Sequence, residues 1–172
     1  SPHVENLIGG MLRFSTNLTA EVLGLAASRA RGAEAGTLAE SGGAMRDWLA
    51  EAYGLDGAMF ENHSGLSTRT VMSPEETVRM LVAARGRLPA LLRDIPIRGA
   101  AGARFDARGV RVVAKTGTIH FASGLAGYVL GNDGRQLAFA IFSADLDRRA
   151  GYDPQGADPP AGSGVWVRGA RE

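Results

Sequence analysis

Three strand-like segments follow one another in the second half of the chain, and they restrict its fold more than any other feature. They span residues 110–117, 124–130 and 137–143. Residues 131–134 read Gly-Asn-Asp-Gly, which are the residue types of a tight hairpin turn. Because short connections join strands that run in opposite directions, the sequence predicts three consecutive antiparallel strands.

The last of these strands also indicates what surrounds the sheet. Residues 137–142 read LAFAIF, which is apolar on both faces of a strand. A strand that is apolar on both faces is covered on both sides, so we expect helices on both faces of the sheet. Helical patterns come first in the chain and the strands follow, an order typical of the α+β class.

Two helices are predicted in the first 30 residues. Apolar residues of the first share one helical face up to about residue 14, namely Val4, Leu7, Ile8, Met11 and Leu12. Ser15, Thr16 and Asn17 interrupt this pattern, which then resumes at Leu18. Short polar residues favour turns and helix caps, so one interpretation is that Asn17 caps the second helix.

Two further helices carry start signals. Thr37 and Glu40 have the spacing of a capping box and precede a helix that should stop at Gly54. Ser73 is followed by Pro74 and by a glutamate three residues later, and this helix should end near Gly86. Residues 55–67 have no clear period and are predicted to form a shaped loop.

Composition excludes several classes of protein. A chain of 172 residues with 45% hydrophobic and 22% charged residues suits one globular domain. Its net charge of +1 and its lack of long basic runs argue against nucleic acid as a partner. No apolar run reaches the roughly 20 residues of a membrane span, so no transmembrane segment is expected. With zero cysteines, thiol catalysis and zinc–thiolate sites are excluded.

No cofactor or metal is expected either. The chain has no phosphate-binding loop, and its three histidines lack the spacing of metal ligands. Three aspartates lie in a stretch that we interpret as a solvated loop, with calcium binding as a remote alternative: Asp145, Asp147 and Asp153.

Lys115 is the only lysine in a chain whose other basic residues are all arginine. This position either kept its lysine by chance or requires an amine. The pKa of an amine shifts on partial burial, whereas arginine stays charged, so proton-transfer chemistry can use the first but not the second. Alternation along the predicted strand places Lys115 on the same face as Val113.

The motifs Ser15-Thr16-Asn17 and Lys115-Thr116-Gly117-Thr118 resemble two of the three signatures of penicillin-recognising serine enzymes. Their surroundings, MLRFSTNLTAEVL, NHSGLS and KTGTIHFASGLAGYV, resemble the low-molecular-mass D-alanyl-D-alanine carboxypeptidases of the DacB type, peptidase family S13. The likeness extends from about Leu7 to Phe142. It implies a β-lactamase/transpeptidase-like sheet flanked by helices, with the two motifs on opposite walls of a cleft.

The resemblance also implies roles for single residues. Ser15 would relay a proton toward the leaving amine, and Asn17 would bond the substrate's backbone amide. Lys115 would tune that relay and attract the terminal carboxylate of a D-Ala-D-Ala peptide. The substrate-binding strand would be Thr116, Gly117 and Thr118: both hydroxyls would bind the carboxylate, and the Thr118 N–H would serve the oxyanion hole.

Leu66, in the Ser-Gly-Leu-Ser loop, would line the substrate's side-chain pocket, with a purely structural loop as the alternative. Before this loop the chain has Asn62 and His63, where the family usually has Asp and Gly. A larger departure concerns the family's nucleophile, the serine of Ser-x-x-Lys. The only lysine is preceded three positions earlier by Val112, so that motif is absent.

Residues 1–172 are therefore expected to be the C-terminal portion of a penicillin-binding transpeptidase-like domain, incomplete and inactive alone. The Ser-x-x-Lys segment would lie upstream of Ser1 or on another chain, and without it we expect a large apolar surface to be exposed. The expected function is a periplasmic or extracytoplasmic bacterial carboxypeptidase or endopeptidase that acts on peptidoglycan and is inhibited by β-lactams. The alternatives are a non-catalytic relative that binds cell-wall peptides or a partner protein, and a serine β-lactamase, which would need a deacylating base.

Overall fold

The sheet has four antiparallel strands in the order β1-β2-β3-β4, namely β1 (Arg93–Asp94), β2 (Arg111–Ile119), β3 (Ala122–Leu130) and β4 (Gln136–Ala144). The computed structural model describes residues 2–98, 109–151 and 160–170. The three predicted strands are confirmed. The sequence patterns missed β1, which pairs with Ala114 and Val113 of β2 over two residues only.

Seven helices lie in the part of the chain that the structure describes. They are α1 (Pro2–Phe14), α2 (Asn17–Ala30), α3 (Leu38–Tyr53), α4 (Pro74–Ala84), α5 (Leu88–Leu91), α6 (Leu146–Ala150) and α7 (Ser163–Gly169). The predicted α+β class is confirmed. None of the described helices has the length and apolar character that a membrane crossing requires.

The helix boundaries follow from their caps. Both predicted capping boxes form, at Thr37 for α3 and at Ser73 for α4, and α3 stops at Gly54 in the left-handed conformation. Asn17, however, is the first residue of α2 rather than its cap, because Thr16 takes the extended N-cap conformation. The interpretation of Asn17 as a helix cap is therefore wrong.

The stretch that contains the aspartates is only partly a loop. Asp145 is the N-cap of α6, and its carboxylate accepts the backbone N–H of Arg148. Asp147 lies in the first turn of this helix. The predicted solvated loop is therefore wrong for these two residues, and Asp153 lies outside the described residues. Among the described residues, no group of side chains is arranged to hold a metal ion.

The main core forms where α4 packs on one face of the sheet. Its buried members are Leu81 of α4, Leu92, and the register partners Val113 and Tyr128 of β2 and β3. The Tyr128 hydroxyl donates a hydrogen bond of 2.6 Å to the carbonyl of Leu81, so helix and sheet are joined by a polar contact inside the core. This core fixes the position of β2.

The other face of β4 is less covered. Residues of one strand alternate between faces, so Leu137 and Ile141 lie opposite the face that contacts α4. Each is 64% exposed in the described structure. A sheet face with large exposed apolar side chains is typical of a surface that another segment or chain covers.

Candidate active site

The fold brings the Lys115 side chain to the break between α1 and α2. Its amine donates a hydrogen bond of 2.6 Å to the hydroxyl of Ser15, across a separation of 100 residues in sequence. The amine also donates to the carbonyl oxygen of Thr116 at 2.5 Å. The sequence motifs on the two predicted walls are therefore in direct contact.

The backbone at Ser15 has a conformation that few residues adopt. Its φ is 54°, in the left-handed region, between the last residue of α1 and the cap of α2. Such a conformation costs a non-glycine residue roughly 1–3 kcal/mol and is found often at functional sites. Here it lies at the break between two helices, where the serine hydroxyl contacts Lys115 of β2.

The hydrogen-bond roles at this contact favour proton transfer from Ser15. An ammonium group can only donate, so the oxygen of Ser15 accepts from Lys115 and its own hydrogen is left for another acceptor. Burial lowers the pKa of Lys115, and the nearby Arg93 guanidinium lowers it further. The amine therefore exchanges its proton more readily than an ordinary lysine does.

The remaining residues of the lysine motif follow along β2. In the described structure, β1 pairs only with Val113 and Ala114, so the edge of β2 at Thr116 and Gly117 has no strand partner there. Because successive residues of a strand lie on opposite faces, the side chains of Thr116 and Thr118 are on the face of the sheet opposite to that of Lys115. A ligand that touches all of them must therefore lie along this edge of the strand.

Asn17 lies in the first turn of α2 and is exposed, as are Ser15 and Thr16. The apolar neighbours of this turn are also exposed, since Phe14 and Leu18 each have 78% of their surface accessible. The hydroxyl and amide groups of the predicted site are therefore flanked by apolar surface.

The loop that contains Leu66 is attached to the turn that follows β2. Leu66 itself is 48% exposed. At the next residue, the Arg149 guanidinium donates to the carbonyl of Ser67 at 3.4 Å, and it also donates to the carbonyl of His120 at 3.2 Å. Arg149 thus joins the end of this loop to the turn that follows β2. No sequence pattern predicts this role for Arg149, since nothing local distinguishes it from the other arginines.

The sequence analysis also missed Glu21, although its position offers a signal. It follows Asn17 by four residues, so both lie on one face of α2. Its carboxylate accepts the backbone N–H groups of His63 at 2.9 Å and Ser64 at 3.0 Å. The helix that begins at the predicted site thereby also holds the loop that precedes Leu66.

A Lys-Thr-Gly strand that faces a Ser-x-Asn turn defines a class of protein, because these motifs occur together in penicillin-binding proteins and serine β-lactamases. Comparison with known families narrows this class. The sequence profile of the D-Ala-D-Ala carboxypeptidase 3 (S13) family matches residues 1–157. The chain therefore belongs to the S13 family of D-Ala-D-Ala carboxypeptidases.

Solved structures show the same fold at low sequence identity. Penicillin-binding protein 4 (DacB) from Haemophilus influenzae superposes with a TM-score of 0.64 and 16% identity, over 96% of this chain and 38% of that one. The same protein complexed with a β-lactam gives a TM-score of 0.60 and 19% identity, over 83% and 36%.

A predatory endopeptidase from Bdellovibrio bacteriovorus, solved in complex with an immunity protein, gives a TM-score of 0.57 and 20% identity, over 95% of this chain and 40% of that one. This chain thus spans about two fifths of the length of these relatives. No protein with a curated function matches the sequence significantly.

Proposed function

We propose that this chain supplies the substrate-recognition and proton-relay part of a serine D-Ala-D-Ala carboxypeptidase or endopeptidase that acts on peptidoglycan peptides. The observation that carries the proposal is the 2.6 Å hydrogen bond between the Lys115 amine and the Ser15 hydroxyl. Membership of the S13 family supports a cell-wall peptidase role. An extracytoplasmic location in a bacterium follows from such a role.

In this reaction, the serine of a Ser-x-x-Lys segment attacks the carbonyl carbon of the penultimate D-alanine. An ester to that serine forms and the C–N bond to the terminal residue breaks. Ser15 gives its hydroxyl proton to the departing amine and recovers a proton from the Lys115 ammonium. The proton that the attacking serine loses passes to the lysine of its own Ser-x-x-Lys segment and from there returns to Lys115. Water then hydrolyses the ester, and a β-lactam would form the corresponding acyl-enzyme, which hydrolyses slowly.

The terminal carboxylate of the peptide would lie along the open edge of β2. The Lys115 ammonium attracts it, and the hydroxyls of Thr116 and Thr118 donate hydrogen bonds to it. The Thr118 N–H supplies one oxyanion-hole donor, a type of contact whose loss in other enzymes costs roughly 3–4 kcal/mol. Asn17 binds the backbone amide of the peptide from the opposite wall.

A second segment must complete the enzyme, because the chain contains no Ser-x-x-Lys motif. We place that segment against the apolar surface beside Ser15, where Phe14 and Leu18 are each 78% exposed. A serine docked there would lie next to the Ser15 hydroxyl and the Lys115 amine. The chain is then the C-terminal portion of a transpeptidase-like domain, and it has no acylating activity alone.

Labelled penicillin tests this proposal. The full gene product that contains this chain is incubated with the label, and the modified residue is found by mass spectrometry of its peptides. We expect one labelled serine in a Ser-x-x-Lys segment and much slower labelling in Lys115→Ala. The conservative variant Lys115→Arg serves as the control for charge, because it keeps a cation but loses the titratable amine. Absence of a labelled serine would reject the enzymatic function.

The missing nucleophile motif also favours a second candidate, a non-catalytic relative that keeps the cleft and binds cell-wall peptides. This candidate predicts that the full gene product binds a D-Ala-D-Ala peptide reversibly in calorimetry yet takes up no covalent penicillin. The sequence upstream of this chain discriminates as well, since an intact Ser-x-x-Lys motif favours the enzyme.

A further inference from the structure

A chain of polar contacts holds the loop before Leu66 against two helices. The carboxylate of Glu21 on α2 accepts two consecutive backbone N–H groups, those of His63 and Ser64. Bonds from backbone N–H groups to an ionised carboxylate are stronger than neutral ones. One side chain of α2 therefore fixes both the position and the direction of the loop at these two residues.

The ring of His63 extends this attachment to α3. Its Nε2 atom lies 2.8 Å from the hydroxyl oxygen of Ser41, and that oxygen lies 2.7 Å from the hydroxyl oxygen of Ser28 on α2. Ser41 is completely buried and Ser28 nearly so. Each hydroxyl has a partner, so the ring connects the loop to a satisfied polar contact between the two helices.

Two glycines make this close packing possible. A Cβ atom at Gly24 of α2 would lie 2.0 Å from the His63 ring, and one at Gly42 of α3 would lie 2.4 Å from the carbonyl oxygen of Phe60. A side chain at either position would push the loop away from its helix. The loop thus packs closely against α2 and α3, and the two closest approaches require glycine at positions 24 and 42.

The loop at residues 63–67 is attached to both elements that carry the proposed site residues, α2 and the turn after β2. Helix α2, which holds it, begins directly after Ser15 and Thr16. Leu66 follows Ser64 by two residues, and Ser67 is tied to the turn after β2 by Arg149. A displacement at His63 therefore changes the distance between Leu66 and the Ser15 hydroxyl.

We propose that Glu21 and His63 are positioning residues that hold the Leu66 loop at a fixed distance from Ser15 and thereby select the side chain that precedes D-Ala-D-Ala in the peptide. This inference rests on the proposed function for its substrate. It goes beyond that function because it assigns the selectivity to a contact that touches neither the substrate nor the reacting atoms.

The first test measures the loop without any substrate. Amide hydrogen exchange is recorded by NMR in the full gene product and in Glu21→Gln, where a side-chain NH2 group replaces one of the two accepting oxygens. The amides of His63 and Ser64 should exchange about tenfold faster in the variant, as expected when a hydrogen bond to a charged group is lost. Equal exchange in both proteins would overturn the proposal. Glu51→Gln, at an exposed position of α3, is the control.

The second test measures selectivity. Two acyl-D-Ala-D-Ala peptides are compared, one with a long amine-bearing side chain before D-Ala-D-Ala and one with glycine there. In Glu21→Gln and Gly24→Ala, KM for the first peptide should rise about tenfold while its kcat changes little. Both KM and kcat for the glycine peptide should stay nearly unchanged. Gly43→Ala is the matched control, because a Cβ atom at this helical glycine meets nothing within 4 Å.

The outcomes separate the two proposals. Equal losses for both peptides would overturn the selectivity role and leave a merely structural one. If neither peptide is cleaved by the unmodified protein, the proposed function fails and the selectivity role with it, whereas hydrogen exchange still decides whether Glu21 holds the loop.

Discussion

Val113 and Lys115 lie two residues apart on the same face of β2, yet they belong to different environments. Val113 is 1% exposed and packs in the core with Tyr128 and Leu81. Lys115 lies just beyond the last residue that pairs with β1, and its amine contacts Ser15 at the break between two helices. Packing at one point of the strand therefore holds a reactive group two residues further on without burying it completely.

Stability and chemistry are therefore expected to depend on different residues of one strand. Substitutions at the core end should change the free energy of unfolding and leave the acylation rate intact. Substitutions at the site end should do the reverse. Variants at both ends can therefore test whether stability and chemistry are separate along β2.

Lys115→Ala should have the largest effect. Loss of a positioned acid–base group typically costs about 10²–10⁴-fold in rate, and we expect a loss of this size in penicillin acylation by the full gene product. Its unfolding midpoint in urea should change little, because the side chain is only partly buried. Normal acylation by this variant, or a large loss of stability in urea, would contradict the prediction. Either result would mean that Lys115 contributes to the core rather than to the site.

Val113→Ala should show the opposite profile. Removal of two buried carbon atoms from a packed core costs about 2 kcal/mol of unfolding free energy. Urea denaturation measures this loss, and penicillin acylation should be unchanged at temperatures where the variant is folded. Val82→Ala is the control, because Val82 is 46% exposed and surface changes stay within about 0.5 kcal/mol.

Tyr128→Phe tests the core end of β2 and β3 and should have a smaller effect. It removes the hydroxyl that donates 2.6 Å to the Leu81 carbonyl but keeps the ring. The expected loss is about 1 kcal/mol in urea denaturation, the usual contribution of one hydrogen bond. A loss as large as that of Val113→Ala would mean that the polar contact, rather than apolar packing, holds α4 on the sheet.

The pH dependence of stability should show the smallest effect. Burial, followed by the Arg93 charge, lowers the pKa of folded Lys115 below 10.5, so between these pKa values the unfolded chain binds more protons. The contribution of this residue to the unfolding free energy therefore rises with pH across that window. Burial raises the pKa of Tyr128, which acts in the opposite direction at alkaline pH.

The difference in unfolding free energy between the unmodified protein and Lys115→Gln, measured as a function of pH, isolates the contribution of the lysine. Urea unfolding at a series of alkaline pH values should show the rise in the first protein and its loss in the second. Val113→Ala, by comparison, should lower stability by the same amount at every pH. A pH profile that Lys115→Gln leaves unchanged would contradict the effect of burial on the amine.

Local patterns predicted the main elements because their causes are local. The capping boxes at Thr37 and Ser73 depend on residues three positions apart, and strand alternation correctly put Val113 and Lys115 on one face. Asn17 was assigned wrongly because the adjacent Thr16 adopts the cap conformation, a choice that side-chain type does not determine. Asp145 was assigned to a loop because α6 has only five residues and no clear period.

Local sequence patterns could not predict the long-range contacts. The pairing of β1 with β2 depends on tertiary packing, since two residues carry no period of their own. The bonds from Glu21 to the loop amides join residues that are 42 and 43 positions apart, and no local rule relates them. The contact between Ser15 and Lys115 was expected only through the resemblance of two motifs to a known family.

Ser15 and Lys115 are proposed to act as one unit, and a double-mutant cycle on acylation by labelled penicillin tests this coupling. The rates of Ser15→Ala, Lys115→Ala and the double variant are compared with that of the unmodified full gene product. If the two groups form one proton relay, the double variant should lose about as much rate as the worse single variant. Losses in rate that simply multiply would show that the two side chains act independently and would contradict a shared proton relay.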